Sequence, residues 1–371
     1  MTATTTSTVQ STTPEGTTAP ARAPLFTGRS RMLNLGPLST RVDLRAVLVT
    51  VLLGLTALAV GWWNMLTGTS AFGASDVAAS LLGQADEGTA RVILEWRLPR
   101  IVFTLLGGAA LAMAGAVFQS ITRNPLGSPD IIGFGTGAYT GALLVALFGF
   151  TGMWMTPLGA IIGGVGTGVI IYFLAWRGGV SGLRIILVGI GMTILLDAVN
   201  TYLLTTMEVE EAMSAAVWGA GSVNDITWTH VLPLAVALAL IIPLFAAKQR
   251  DLTLMEMGDD PAQGLGIRTE KTRLVMVLGA VVLVALTTAA AGPIAFVALV
   301  APQLAMRLTR SSSVQIGPAA VMGALLLTLS DLITRLDLLP VQPPVGVVTL
   351  CLGGAYLIWL LIGFGRRRKA A

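Results

Sequence analysis

Charge is what this chain has little of. Only 11% of its 371 residues are Asp, Glu, Lys or Arg, while 54% are hydrophobic. Soluble domains carry about 25% charged residues. So little charge excludes a water-soluble globule, because most of the apolar surface could not be hidden from water. The solvent over most of the chain must be lipid. Cysteine is nearly absent too. Cys351 lies alone in an apolar run, which excludes a disulfide framework and reads as packing. The lone histidine, His230, has no cysteine or second histidine to share a metal with, and reads as solvated or interfacial. The three lysines are Lys248, Lys271 and Lys369. None follows a glycine, and no G-x-x-x-x-G-K-[ST] stretch exists, which excludes a phosphate loop for a nucleotide triphosphate. No nucleophile–base arrangement, metal site or cofactor motif is visible. Proton-driven carriers usually bury several ionisable residues in their spans, and here only Asp197 is clearly mid-span.

What is present is a series of long uncharged stretches. Residues 1–40 stand apart as a Thr-, Pro- and Ala-rich segment with scattered Arg. It reads as a disordered, solvent-exposed tail, and not as a cleavable signal, since the following apolar run is too long and too far in. From 41 to 371 the chain reads as one membrane domain. A helix crosses hydrocarbon with about 20 residues. Val47–Trp63 supplies a first span and Ile101–Thr122 a second. Ile131–Trp176 is too long for one helix and breaks near Thr151–Pro157, giving two. Ile185–Thr206 and Ile226–Ala247 follow, then Leu274–Met306, interrupted at Gly292-Pro293. Ile316–Ser330 and Val345–Phe364 bring the expectation to about ten transmembrane helices in an all-α polytopic protein. The abundant glycine, 43 residues, suits close helix packing in a bilayer.

The basic residues orient these spans. An even count puts both termini on one side. That side collects 19 of the 23 Lys and Arg residues, including the tail, the 248–273 loop and Arg366 to Lys369. Only Arg91, Arg97, Arg100 and Arg335 fall on the other side. Both ends are therefore expected in the cytoplasm, with the chain in the cytoplasmic (inner) membrane.

The order of certain segments is familiar. Arg97-Leu98-Pro99-Arg100 precedes a Gly/Ala-rich span with Gly107, Gly108 and Gly115, then Gln119 and Arg123-Asn124-Pro125-Leu126, then Pro129, Gly133 and Gly135 to Gly137. Later come Gly292-Pro293-Ile294-Ala295-Phe296 through Pro302, and Leu339-Pro340 through Pro344-Val345-Gly346 to Thr349 with Gly353. In this register, from about 45 to 366, the chain resembles the FecCD family, the permeases of ABC importers for ferric siderophores, haem and cobalamin. The resemblance implies the cobalamin-permease-like type II importer fold with ten spans. It implies two cytoplasmic ATPase subunits, a second permease subunit and an extracytoplasmic solute-binding protein as partners. A ferric siderophore is the expected cargo; cobalamin or haem remains open, and an ion-coupled secondary carrier is the rival from another class.

The resemblance also distributes roles. Arg97, Arg100 and Arg335 match arginines that engage glutamates of the binding protein; a planar guanidinium suits a carboxylate. They could equally anchor helix ends at the headgroups, and Arg335 has Asp331 and Asp337 beside it. The 248–273 loop should hold a two-turn helix that couples to the ATPase. There Asp259 or Asp260 would cap a helix opened by Pro261 and closed by Gly264 or Gly266. Its contact residues would be Met255, Glu256, Met257, Gly258, Leu265 and Ile267. A cytoplasmic gate is implied at Leu126 and at the Gly178–Leu183 loop, where Gly182 and Leu183 replace the small hydroxyl residues of relatives. Asp197 would either meet cargo or tie its helix to a neighbour, with Asn200 expected on the same face. Asp197 and the altered loop favour a heterodimer over a second copy.

Overall fold

A computed structural model describes residues 30–33, 40–68, 72–150, 152, 154–176, 182–336 and 342–369. β1 (Ser30–Leu33), inside the stretch read as an unstructured tail, pairs antiparallel with β2 (Thr40–Asp43), which begins at that stretch's last residue. Everything else with regular structure among the described residues is helical.

Every stretch expected to cross the membrane is a helix. They are α1 (Leu44–Leu66), α4 (Leu98–Thr122), α5 (Phe134–Leu147), α6 (Met155–Ala175), α7 (Gly182–Thr206), α9 (Trp228–Met255), α11 (Thr269–Ala291), α12 (Val297–Thr309), α13 (Ile316–Arg335) and α14 (Val345–Lys369). Among the described residues seven are long and apolar enough to span a bilayer, and α5, α12 and α14 contribute shorter apolar helices. Three helices lie outside the expected pattern: α2 (Ala74–Leu81), α3 (Glu87–Arg91) and α8 (Val209–Gly219); a further short helix, α10 (Asp259–Gly264), forms inside the 248–273 loop where a short helix is expected. A π-helical turn, Val92–Arg97, joins α3 to α4, so that Glu87–Thr122 is one continuous helical stretch.

The bundle is organised around α4. Every residue from Ala110 to Thr122 is buried, and α11, α12 and α13 lie against it. Small residues make this possible. A Cβ built on Gly115 would stand 1.7 Å from the Ala298 carbonyl oxygen of α12, so only glycine fits where the two backbones meet. By contrast α1 and α7 present Leu55, Leu58, Ile194 and Leu195 outward, as lipid-facing or partner-facing helices do.

The break at Gly292-Pro293 is real. Between α11 and α12 the chain is non-helical, with Gly292 at φ 71° and Phe296 at φ 70°. Irregular backbone at membrane depth needs internal partners. Here Ser222 N–H donates to the Ala291 carbonyl (2.7 Å) and Gly346 N–H to that of Gly221 (3.0 Å). The Asp130 carboxylate accepts the Phe296 N–H (3.2 Å) just before α12 begins, where the helix dipole favours negative charge. Burial pushes the Asp130 carboxyl up to about 6, against the opposing hydrogen bonds from Ser128 and Phe296.

Candidate functional site

The residues singled out in the sequence fall into three groups. The first lies where α1 ends. A helix leaves its last carbonyls without intrahelical partners and concentrates partial negative charge there. Two arginines answer this, Arg97 and Arg335, and Arg100 lies beside them. Arg97 donates to the Met65 carbonyl (2.7 Å) and lies over the Phe72 ring. Arg335 reaches the carbonyls of Asn64 and Thr67. Arg100 donates through Nε to Asp331 (2.9 Å) and through Nη1 to Asn224 (2.7 Å). Asp331 is fully buried, pairs with Arg335 at 3.7 Å, and accepts from Asn64 Nδ2 (2.6 Å). The three arginines thus converge, but they are turned inward: Arg100 and Arg335 keep only 13% and 10% of their side chains exposed, and Arg97 as a whole residue 7%. Two guanidiniums, those of Arg100 and Arg335, share the one Asp331 carboxylate.

The local pairing of Arg335 with Asp331, four residues earlier, was visible in the sequence. Asn64 and Asn224 were not, because they come from elements 267 and 124 residues from the groups they touch.

The second group is the 248–273 segment at the opposite end of α4. A short helix forms there, α10, but not with the expected cap. Gly258 precedes it at φ 127°, and no side chain caps its N-terminus. Asp259 is the first helical residue, and its carboxylate is taken by Arg273 of α11 at 2.9 and 3.0 Å. The closing glycine is Gly266, at φ 83°. Met255, expected among the contact residues, is 2% exposed and belongs to the core. Met257 and Leu265, at 69% and 63% exposure, project outward with Asp260 and Pro261, while Ile267 is half-buried. Glu256 accepts a hydrogen bond from Ser120 of α4 (2.6 Å); burial pushes its carboxyl above the usual range and the Ser120 bond opposes this.

The third group concerns the pathway. Leu126 follows an Asx turn, in which Asn124 Oδ1 accepts the Leu126 N–H (3.0 Å), and its side chain is exposed. Leu183 is exposed at the start of α7; Gly178 to Ser181 lie outside the described residues, and Gly182 opens the helix. Asp197 is exposed on α7. Asn200 does not share its face: it is buried, and its amide approaches the Thr136 carbonyl of α5 at 3.4 Å. Gln119 donates to the Leu299 carbonyl (2.9 Å) and accepts from Gln303 (2.7 Å), tying α4 to α12. Among the described residues no three His, Cys, Asp or Glu side chains gather as metal ligands.

The profile of the FecCD transport family matches residues 52–363. The ferric enterobactin transport system permease protein FepG of Escherichia coli (strain K12) is 45% identical over 325 residues, spanning 87% of this chain and 98% of that protein. The iron(3+)-hydroxamate import system permease protein FhuG of Bacillus subtilis (strain 168) is 38% identical over 291 residues, 74% of this chain and 86% of its own. A metal-chelate type ABC transporter solved in an inward-facing conformation superposes with a TM-score of 0.75 at 26% identity, covering 85% of this chain and 99% of the other.

Proposed function

Because this chain belongs to the FecCD transport family, whose members are ABC-importer permeases and not enzymes, we propose that it carries a ferric siderophore across the cytoplasmic membrane. The cargo arrives on an extracytoplasmic solute-binding protein, and two separate cytoplasmic ATPase subunits supply the energy. The observation that carries the cargo assignment is the 45% identity along 98% of a ferric enterobactin permease.

In this reading ten helices cross the membrane, both termini are cytoplasmic, and residues 1–40 form a cytoplasmic tail ahead of the permease domain. The end of the bundle around Arg97, Arg100 and Arg335 receives the binding protein. A partner carboxylate there meets the rims of the Arg100 and Arg335 guanidiniums that remain exposed, and such pairing sets register and speeds encounter more than it adds affinity. At the other end the exposed Met257, Pro261 and Leu265 on and beside α10 offer the apolar contacts for the ATPase. A loop of this length exceeds what a simple connection needs. Leu126, Gly182, Leu183 and Asp197 border the pathway, which lies between this chain and a second permease subunit. The outward-facing Asp197 on α7 supports pairing with a related chain that presents a complementary surface. Transport is by alternating access, with no covalent step.

The test is uptake of radio-iron-labelled ferric enterobactin into proteoliposomes holding this chain, its partner permease and the ATPase. Uptake is expected only with a loaded binding protein outside and hydrolysable ATP inside. Uptake that persists with a non-hydrolysable nucleotide, or without binding protein, contradicts the proposal.

A further inference from the structure

The inner end of α4 is tied to the coupling segment by side chains that belong to neither the docking cluster nor the pathway. Ser120 and Arg123, three residues apart, lie at the end of that helix. Glu256 and Asp259, also three apart, flank the entry to α10. Ser120 Oγ donates to Glu256 Oε1 at 2.6 Å, and Arg123 Nη2 stands 3.6 Å from Asp259 Oδ1. Gly258 lies between the two acidic residues at φ 127°, a conformation that glycine alone adopts without strain. A Cβ there would also come within 3.2 Å of the Pro261 ring and 3.6 Å of the Arg123 guanidinium. The same Asp259 holds Arg273, whose side chain is 3% exposed and whose other partner is Glu270 at 2.6 Å.

We propose that this clasp is the joint through which the coupling helix moves α4 and the gate turn that follows it. The inference deepens the coupling role proposed above and rests on it. Two ties on successive turns resist rotation as well as separation, where a single tie would act as a pivot. Asp259 bridges α4 and α11, so a push on α10 is shared by both helices. Arg123 is the residue immediately before Asn124-Pro125-Leu126, and it holds the left-handed conformation, φ 52°, at which the helix ends. Displacing its guanidinium therefore displaces the turn that presents Leu126. Within the membrane α4 is buried continuously from Ala110 to Thr122, and a close-packed helix shifts as a body and does not bend locally. Asp259 and Arg123 are positioning residues: neither touches cargo.

The experiment measures ATP hydrolysis and ferric enterobactin uptake in the same proteoliposomes, for the full complex carrying Asp259→Asn or Arg123→Gln. The expected result is an ATPase that stays bound at wild-type stoichiometry and still hydrolyses ATP. Uptake per ATP should fall about fivefold or more, the lower end of typical coupling energies. Asp259→Glu, which keeps the charge, should recover most of the ratio. If Asp259→Asn fails to assemble, Arg123→Gln decides, because that side chain is 42% exposed. An unchanged uptake-to-ATP ratio in Arg123→Gln overturns the inference. So does loss of the ATPase from that variant, which would make the clasp an assembly contact. Wild-type uptake that needs no ATP is a different failure: it removes the importer reading, and the clasp with it.

Discussion

Replacing Asp331 by Asn removes the carboxylate that Arg100 and Arg335 share. Asp331 is fully buried, and Arg100 meets it through Nε at 2.9 Å, with Arg335 at 3.7 Å. The Asn64 amide, 2.6 Å away, can keep its bond, because the new side chain still offers an oxygen. What is lost is the countercharge. Breaking a buried pair by removing one partner costs about 3–5 kcal/mol. Water reaches the rims of the two arginines, so the lower figure applies. For domains of 150–250 residues about 1 kcal/mol moves the melting point by about 2–4 °C, and a chain of this size belongs at or below the lower slope. An apparent Tm lowered by about 6 °C is expected. The assay is thermal unfolding of the detergent-solubilised protein, followed by the fluorescence of its 8 tryptophans. Adding Arg335→Gln to Asp331→Asn should recover part of the loss, because it removes a charge left unpaired; the double-mutant cycle isolates that coupling. A shift under about 2 °C, or a double variant less stable than the single, would refute Asp331 as the countercharge of Arg100 and Arg335.

Other residues give sharper contrasts. Gly115→Val drives a side chain into the Ala298 carbonyl and should cost about 1–3 kcal/mol or more, whereas Gly191→Ala, which meets nothing within 4 Å, should leave yield and Tm unchanged. Asp130→Asn keeps an acceptor for the Phe296 N–H. The native carboxyl titrates at about 6 in the folded chain against 3.8 for the free group, so the folded state binds its proton more tightly. Its contribution to stability is full below the lower value and is lost as pH rises through the upper one. The Asn variant should therefore melt higher than wild type at pH 7.5, and the Tm difference between the two should shrink as pH falls from 6 toward 4. Leu265→Asp should release the ATPase from the purified complex while leaving the Tm of the isolated chain unchanged, because that side chain is 63% exposed.

The spans were legible because a bilayer imposes length: an uncharged run of sufficient size has to be a helix, and a Gly-Pro pair inside it has to break one. α8 escaped this logic. Its 11 residues mix Glu210 and Glu211 with alanines, so length and hydropathy are silent there. The short helix α10 was legible in Asp-Asp-Pro and the glycines after it. Its cap was misjudged, because Gly258 and Asp259 respond to Arg123 and Arg273, side chains on other helices. The arginine cluster shows the same limit. Its members could be named from a local motif, but their inward orientation depends on Asp331, 231 residues from Arg100. Local patterns carry no record of such pairings, nor of the burial that removes Met255 from the contact surface.

As an importer permease this chain holds its α10 segment in the cytoplasm, against a separate ATPase, if the proposed function is right. Cys351→Ser removes the exposed native thiol, after which Leu265→Cys and Gln84→Cys place single thiols at exposed positions at the two ends of the bundle. A membrane-impermeant maleimide should reach Gln84→Cys from outside sealed cells and Leu265→Cys only from inside, and a short thiol cross-linker should join Leu265→Cys to the ATPase. Labelling of Leu265→Cys from outside, or its failure to cross-link in a complex that transports, would contradict the account.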